Sequence, residues 1–287
     1  MKIASLHVYP VKSTAGIPVD RWPLDATGLR FDRRFMVVDP FGEFVTLRGH
    51  PRLVTLVGSL GTPPDPTASW LRLTVPGHAP FDVAVAPHPD SEPLPVRIWG
   101  EAVRARAAHV VDAVGAAIDV DTILSKTLGR PVRLAVFDPA TTRPVDPDYA
   151  TPSDHTEFAD GFPLLVTTTG SLAELSRRRG ETVSMDRFRP NVVIDCDEPF
   201  AEDRWTRVAV HTDLGEVALD LVKPCARCVG VNVEPGTGRS SKEPLATLAR
   251  FRTRDGKVYF GQNAIHRGVS VLSVGQAVSV LAVTEPA

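Results

Sequence analysis

Short β-type segments separated by turn residues run along the whole 287-residue sequence, and they limit the fold more than any other feature. Most are four to seven residues long, rich in β-branched side chains and bounded by Gly, Pro or Asp, as strands usually are. The chain holds 26 prolines, about 9% against a usual value near 5%, which disfavours a helical bundle. The predicted strands are residues 3–8, 34–38, 53–57, 71–75, 96–99, 132–137, 164–167, 191–194, 208–211, 217–222, 229–233, 269–274 and 277–283. We therefore predict a mainly β, β-barrel-like protein with a few helices.

Three helical segments interrupt these strands. The first is predicted at Val120–Leu128, where Asp119 caps the start and Gly129 ends the helix. The second is predicted at residues 170–179, and its last turn is rich in arginine, which suits the negative end of a helix. The third begins near Pro244, because proline is favoured at the first helical position.

The chain length suggests about two domains. Residues 61–66 are rich in Pro, Asp and Gly, and we predict loops there and at residues 78–95. A natural joint falls around residues 105–120, before the first helix. The predicted domains are therefore residues 1–115 and 116–287.

The charge and the cysteine content exclude several classes of protein. The 32 Lys and Arg balance 34 Asp and Glu, which argues against a nucleic-acid-binding protein. Three cysteines are a poor disulfide framework. The N-terminus lacks a signal-peptide pattern, and no segment approaches the roughly 18 apolar residues of a membrane span. We expect a soluble cytoplasmic protein with reduced thiols and with neither nucleic-acid nor membrane partners.

Common catalytic motifs are missing from the sequence. It contains no P-loop, no H-E-x-x-H zinc motif and no G-x-S-x-G nucleophile motif. Gly236-Thr237-Gly238 follows a predicted strand but lacks the βαβ context of a dinucleotide site, so a tight turn is the better interpretation.

Cys225 and Cys228 form a C-x-x-C motif. Nearby Lys223 and Arg227 would lower a thiol pKa, so the pair could be a metal thiolate, a redox dithiol or a sulfur-transfer nucleophile. A structural zinc would need more ligands, such as Cys196 and a histidine. A thioredoxin-like pair should open a helix, and two buried, inert cysteines are also compatible with the spacing. The spacing alone leaves these alternatives open.

Basic residues accompany several other predicted strands. Lys12 follows the first strand, Arg33 and Arg34 enter the second, and Arg187 and Arg189 precede the strand at residue 191. If they converge, they can bind a phosphorylated anion through charge-assisted hydrogen bonds. Arginine is mostly a surface residue, so a solvated face is the alternative for each one.

Six motifs occur in a fixed order along nearly the whole chain. They are YPVKS at 9–13, GL at 28–29 with DRRF at 32–35, FRPN at 188–191, CARC at 225–228, EPxTG at 234–238 and SKEPL at 241–245. Together they resemble the MOSC-domain proteins with an N-terminal MOSC β-barrel domain, and in particular the amidoxime-reducing components. The resemblance implies an N-terminal MOSC-type β-barrel domain followed by a MOSC domain.

The resemblance also implies a molybdenum cofactor (Mo-molybdopterin), whose metal binds a pyranopterin dithiolene and one protein cysteine. A soft thiolate suits such a metal. By position, Cys228 matches the metal ligand and catalytic residue of the family, although an essential Cys225 would reverse this assignment. The other positions that match cofactor-binding residues are Lys12, Ser13, Arg34, Asp160, Gly161, Arg189, Asn191, Ala226 and Arg227.

The implied activity is the molybdenum-dependent reduction of small N-hydroxylated compounds. No cysteine follows Cys228, whereas a plant-type iron–sulfur domain needs four, so we expect electrons from a separate protein or reductase. Val231-Asn232 stands where the family usually has a Thr pair, which bears on substrate class, and Gln276 replaces a common acidic residue. The alternatives are a cofactor carrier or sulfur-transfer module without reductase turnover, and a non-catalytic protein with a structural zinc.

Overall fold

The computed structural model describes residues 1–284 and is mainly β, with three α-helices in this range, as the sequence predicts. The strands of the first part are β1 (Lys2–Val8), β2 (Ile17–Val19), β3 (Arg21–Asp25), β4 (Gly28–Leu29), β5 (Phe35–Val38), β6 (Val57–Ser59), β7 (Trp70–Thr74), β8 (Phe81–Ala84), β9 (Pro93–Ile98), β10 (Glu101–Ala107) and β11 (Val110–Val111). Those that follow are β12 (Arg133–Phe137), β13 (Leu164–Thr168), β14 (Val192–Asp195), β15 (Trp205–Thr212), β16 (Gly215–Arg227), β17 (Thr253–Arg254), β18 (Lys257–Arg267), β19 (Ser270–Ser273) and β20 (Val278–Val283). The α-helices are α1 (Val120–Leu128), α2 (Thr169–Arg179) and α3 (Leu245–Arg252).

The strands form four sheets that mix early and late parts of the chain. The largest has the order β2-β1-β14-β13-β18-β16-β15-β20, with β17 paired to β18. The others have the orders β5-β12-β10-β9, β11-β8-β7-β6 and β19-β3-β4. Three of the four sheets therefore combine strands from both sides of residue 115. The position of the domain boundary stays a prediction.

Local sequence signals explain the helix ends. The side chain of Asp119 accepts a hydrogen bond from the backbone N–H of Thr122, and Gly129 ends α1 in the left-handed conformation with φ 72°. Gly180 ends α2 in the same way, with φ 78°. The predicted bounds of α1 are those of the structure, because both of its caps are local.

Two of the predicted strands fold instead as short 3₁₀ helices, Pro51–Thr55 and Val229–Asn232. In the second, the buried side chain of Asn232 accepts a hydrogen bond from the backbone N–H of Leu245 at 3.0 Å. A side-chain bond of this kind competes with strand pairing. The prediction of a loop throughout residues 78–95 was wrong at β8 and at the first three residues of β9, which both lie within it.

The eleven-residue strand β18 has no counterpart among the predicted strands. Its sequence KVYFGQNAIHR mixes glycine and amides into the apolar pattern, which hides the alternation. Gly261 has φ +75°, and a Cβ there would lie 2.8 Å from the carbonyl oxygen of Val166. The strand therefore needs glycine at this point, where its pairing with β16 changes register.

Most of the buried apolar side chains form one cluster, to which all four sheets contribute, and there are two smaller clusters. The β16 residues Val217, Leu219 and Leu221 point into the large cluster. A smaller cluster joins α2, α3 and β18 through Leu175, Leu248 and Phe260. No helix within residues 1–284 is long and apolar enough to cross a membrane.

A substitution at Gly170 tests the packing of α2 against the end of β14. A Cβ at this position would lie 2.5 Å from the backbone oxygen of Cys196 and 2.7 Å from that of Asp197. We expect Gly170→Ala to lower the free energy of unfolding by about 1–3 kcal/mol, as overpacking does, measured by urea denaturation.

Gly49→Ala is the matched control, because the nearest atom to its Cβ would be the Thr46 hydroxyl at 4.0 Å. We expect its stability to stay within about 0.5 kcal/mol of the wild type. Equal losses in both variants would contradict the packing described for α2.

Candidate functional site

A cavity of about 360 Å³ lies among the ends of several strands, and its volume is typical of a small-molecule site. The structure brings nine of the ten predicted site residues to its wall. These are Lys12, Ser13, Asp160, Gly161, Arg189, Asn191, Ala226, Arg227 and Cys228. They come from distant parts of the chain, so the cavity depends on the mixed sheets.

The two cysteines of the C-x-x-C motif differ in their surroundings. Cys225 is half-buried within β16, and burial raises the pKa of its thiol. Cys228 is exposed and lies just beyond β16 at the start of the short helix Val229–Asn232. A Cβ on Gly230 would lie 3.5 Å from the Cys228 sulfur, so this glycine leaves space beside the thiol. Cys228 is therefore the more accessible of the two thiols.

The wall of the cavity is strongly cationic. Six basic side chains line it against a single carboxylate, that of Asp160. The basic residues are Lys12, Arg33, Arg48, Arg187, Arg189 and Arg227. Burial, and then the charge of Arg33, lower the pKa of Arg189 to about 10. A ligand that carries negative charge would relieve this repulsion.

In Arg189 and in Arg227, one guanidinium nitrogen has no hydrogen-bond partner among the described residues. Arg189 Nη1 donates to the backbone oxygen of Thr14. Arg227 donates to the oxygens of Phe260 and Phe188 at 2.8 and 3.0 Å. The Nη2 atom of both arginines is buried and has no hydrogen-bond partner within the described part of the chain. A buried donor without a partner is costly, so both atoms indicate a ligand with acceptor oxygens.

The buried ring of Tyr9 supports two of these cations. The guanidinium carbons of Arg33 and Arg189 each lie 4.4 Å from the centroid of the ring. The Tyr9 hydroxyl donates to the backbone oxygen of Pro190 at 3.2 Å. A Cβ on Gly16 would come within 2.4 Å of this ring, so glycine is needed there. Tyr9 therefore positions the two arginines through cation–π contacts.

Lys12 and Asp160 form the ion pair of the cavity. Lys12 is buried, and its Nζ donates to Asp160 Oδ1 at 2.5 Å and to the Phe158 oxygen at 2.8 Å. Burial lowers the pKa of Lys12, and Asp160 opposes this shift. Burial alone would raise the pKa of Asp160, but the neighbouring Lys12 ammonium reverses the effect and holds it at about 2. Asp160 is therefore an anion at neutral pH.

Arg34, the tenth predicted residue, lies outside the cavity. Its guanidinium pairs with Glu157 at 2.6 Å. The adjacent Arg33 lines the cavity instead and donates to Asn191 Oδ1 at 3.3 Å. Phe31 and Arg33 have positive φ values of 66° and 51°. These two left-handed residues interrupt the extended backbone before β5. The alternation of side chains between the two faces of a strand therefore does not show which arginine faces the cavity.

Several lining residues have little or no signal in the sequence. Phe44, Leu47 and Arg48 belong to a segment without a catalytic motif, and only the fold brings them to the cavity. Trp99 has a weak signal, because a tryptophan followed by glycine between two β-type runs indicates an exposed turn residue.

Val231 and Asn232, which stand where the family usually has a Thr pair, lie in different surroundings. Val231 lines the cavity, whereas the side chain of Asn232 is buried and binds the backbone of Leu245. The change therefore makes the cavity wall more apolar at one position. Gln276 has a structural place, since its Oε1 accepts a hydrogen bond from the backbone N–H of Ser273 at 2.8 Å.

The metal-ligating side chains at the cavity suit a metal that is already bound by a chelating cofactor. Cys228 offers one exposed thiol beside the cationic wall. Cys196 lies elsewhere, at the start of α2, where its backbone oxygen accepts from the N–H of Gly170 at 2.9 Å. Within residues 1–284 no three His, Cys, Asp or Glu side chains are grouped to hold a metal ion. A chelated metal needs only a single thiolate from the protein.

Two family models match the chain: the MOSC N-terminal beta barrel domain over residues 1–131 and the MOSC domain over residues 153–279. The fold and the site thus define a MOSC-type protein with one exposed cysteine at a cationic cavity. This chain belongs to the MOSC-domain proteins that carry an N-terminal MOSC β-barrel domain. The family and the fold class predicted from the motifs are confirmed.

Relatives named for two different activities are similar to the chain. Mitochondrial amidoxime-reducing component 1 of Homo sapiens is 33% identical over 300 residues, which cover 97% of this chain and 82% of that protein. Mitochondrial amidoxime reducing component 2 of Homo sapiens is 32% identical over 266 residues, covering 88% and 73%. Molybdenum cofactor sulfurase of Arabidopsis thaliana is 28% identical over 283 residues, but these cover 90% of this chain and only 32% of the sulfurase.

The different exposure of the two thiols can be tested by alkylation. We expect iodoacetamide at pH 8 to modify Cys228 about tenfold faster than Cys225, because Cys228 is exposed and the pKa of Cys225 is raised. Trypsin cleaves after Arg227, so the two cysteines fall on different peptides for mass spectrometry. Faster modification of Cys225 would show that Cys228 is not the accessible thiol.

Proposed function

We propose that this chain is a molybdenum-cofactor-dependent oxidoreductase that reduces small N-hydroxylated compounds. The observation that carries the proposal is an exposed thiol, Cys228, on a cavity where Arg189 and Arg227 each have a buried Nη2 atom without a hydrogen-bond partner among the described residues. Similarity to the amidoxime-reducing components supports it, since those relatives align over most of their length. The separate electron donor and the cytoplasmic location belong to the same proposal.

The residues on the cavity wall fit the cofactor. Its phosphate would be held above all by Arg189 and Arg227, whose Nη2 atoms have no acceptor within residues 1–284, with Lys12, Ser13 and Asn191 beside them. Cys228 would bind the metal, since a soft thiolate suits molybdenum. Arg33 rather than Arg34 would join this set, because only Arg33 lines the cavity.

The bound cofactor would supply the two-electron chemistry that removes the oxygen of an N–O bond, and the protein orients the reactants. Asp160 stays ionised down to about pH 2 and holds the Lys12 ammonium by a direct hydrogen bond. Asn191 Oδ1 accepts from Arg33 at 3.3 Å and from the backbone N–H of Leu165 at 3.1 Å, which fixes the direction of Arg33. The cationic wall therefore needs little rearrangement to meet an anion.

Elemental analysis with a reductase assay tests the function. We expect protein made in a cofactor-competent host to contain about one molybdenum per chain, because the cavity offers one accessible thiolate. We expect Cys228→Ser to abolish reduction of an amidoxime by an artificial electron donor while the circular dichroism spectrum stays unchanged. Cys225→Ser should lose less activity, because Cys225 lies half-buried in β16.

The outcomes separate the alternatives. Bound molybdenum without reductase turnover would favour the carrier or sulfur-transfer function. This chain is also similar to a molybdenum cofactor sulfurase. One equivalent of zinc without molybdenum would contradict both and support a structural metal. Loss of activity in Cys225→Ser alone would move the metal ligand to Cys225.

Arg189 provides a test of anion binding that does not require turnover. We expect Arg189→Met to retain molybdenum at least about tenfold less well during dialysis, because part of a buried anion would lose its donor. Arg104→Met is the matched control, since the Arg104 side chain is 71% exposed and pairs with Asp138. Equal retention in both variants would contradict a role for Arg189 in holding the cofactor.

A further inference from the structure

Trp99 occupies a position that packing does not explain. It forms, with Gly100, the two-residue turn between β9 and β10, and the two residues have φ values of 54° and 87°. Such turns favour asparagine and glycine, because positive φ strains a bulky side chain. The Trp99 side chain is also 53% exposed, so burial in the core does not compensate for this strain. Strain of this kind points to a function for the side chain.

The indole ring is nevertheless held in one place. Its Nε1–H donates to Asp160 Oδ1 at 3.3 Å, and Asp160 is paired with the buried Lys12. The Phe44 ring meets the indole edge-on, with 4.8 Å between centroids, and the Arg48 guanidinium lies 4.6 Å from the indole centroid. The ring is thus fixed on several sides while about half of its surface remains open.

The open part of Trp99 belongs to the cavity that contains Cys228. Phe44, Leu47 and Trp99 line this cavity together with Cys228. The position of a Cβ on Gly230 lies 3.5 Å from the Cys228 sulfur and 4.0 Å from Leu47 Cδ2, so Gly230 lies next to both the thiol and the Leu47 side chain. An apolar wall therefore runs from the thiol towards the indole.

We propose that Trp99 determines substrate class by stacking on the ring of aryl N-hydroxylated compounds, in which the carbon that carries the N-hydroxylated nitrogen is bonded to a planar aromatic ring. The inference rests on the proposed function. Aromatic rings gain from offset stacking beyond the area that they bury. The Arg48 guanidinium helps to hold the indole in place for such a contact through its own cation–π contact with it. An alkyl amidoxime offers the same N–O group without this gain.

Kinetics of the molybdenum-loaded enzyme with benzamidoxime and acetamidoxime test the inference. We expect Trp99→Ala to lower the ratio of kcat/KM for benzamidoxime to that for acetamidoxime about tenfold, mainly through the KM of benzamidoxime. Trp99→Phe should keep most of the ratio, because it keeps an aromatic ring. Trp70→Ala is the control, since Trp70 is 39% exposed on β7, away from the cavity.

A binding measurement gives a readout apart from turnover. The chain has four tryptophans, so 5-fluorotryptophan labelling gives four ¹⁹F signals, and Trp99→Phe assigns the one from Trp99. We expect benzamidoxime to shift the Trp99 signal and to leave that of Trp70 in place, whereas acetamidoxime shifts neither.

An unmoved Trp99 signal at saturating benzamidoxime, or an unchanged substrate ratio in Trp99→Ala, would overturn the inference. If the wild type reduces neither compound, the proposed function fails, and the ¹⁹F shift still decides whether Trp99 binds aryl compounds. If the wild type reduces both and all variants keep the same ratio, only the role of Trp99 fails.

Discussion

The contact between the Tyr9 ring and two guanidinium groups is the interaction on which the cavity depends. Arg33 and Arg189 lie at 4.4 Å from this buried ring, and both belong to a wall with six cations and one carboxylate. Like charges at this density repel each other, so the wall needs fixed acceptors. The ring face and the backbone oxygens of Thr14 and Arg189 provide them. The charges are therefore arranged before any ligand arrives, which is the condition for strong electrostatic binding.

Local signals were enough to predict much of the fold. Asp119 and Gly129 bound α1 because both act within one turn of the helix. The strand β18 was missed because Gly261 and the amides beside it serve a change of register that depends on another strand. The segment Val229–Asn232 has the composition of a strand, but a hydrogen bond from Leu245 to Asn232 sets its conformation. Contacts that are distant in sequence leave no periodic pattern to read.

Some site residues could also be predicted from the sequence, whereas others depend on distant contacts. Lys12, Arg189 and Cys228 were found because their motifs resemble those of a family, and the structure brings all three to one cavity. The offset between Arg33 and Arg34 could not be found, since it arises from two left-handed residues that alternation does not reveal. Trp99 reaches the cavity only through the hairpin of β9 and β10 and its bond to Asp160. The chemistry of the thiol and the cations was therefore predictable, whereas the apolar wall was not.

The pairing of β1 with β14 has a consequence for the order in which the molecule is assembled. One edge of β1 pairs locally with β2, but Lys2 on the other edge pairs with Asp195, so this edge waits for a partner that is synthesised about 190 residues later. Contacts of such long range close slowly, and an open strand edge is exposed to wrong partners until then. Lys12 follows β1 directly and reaches Asp160 from there. The anion-binding wall is therefore complete only once β1 and β14 have paired, and a bulky anionic group can enter a finished site only after that step.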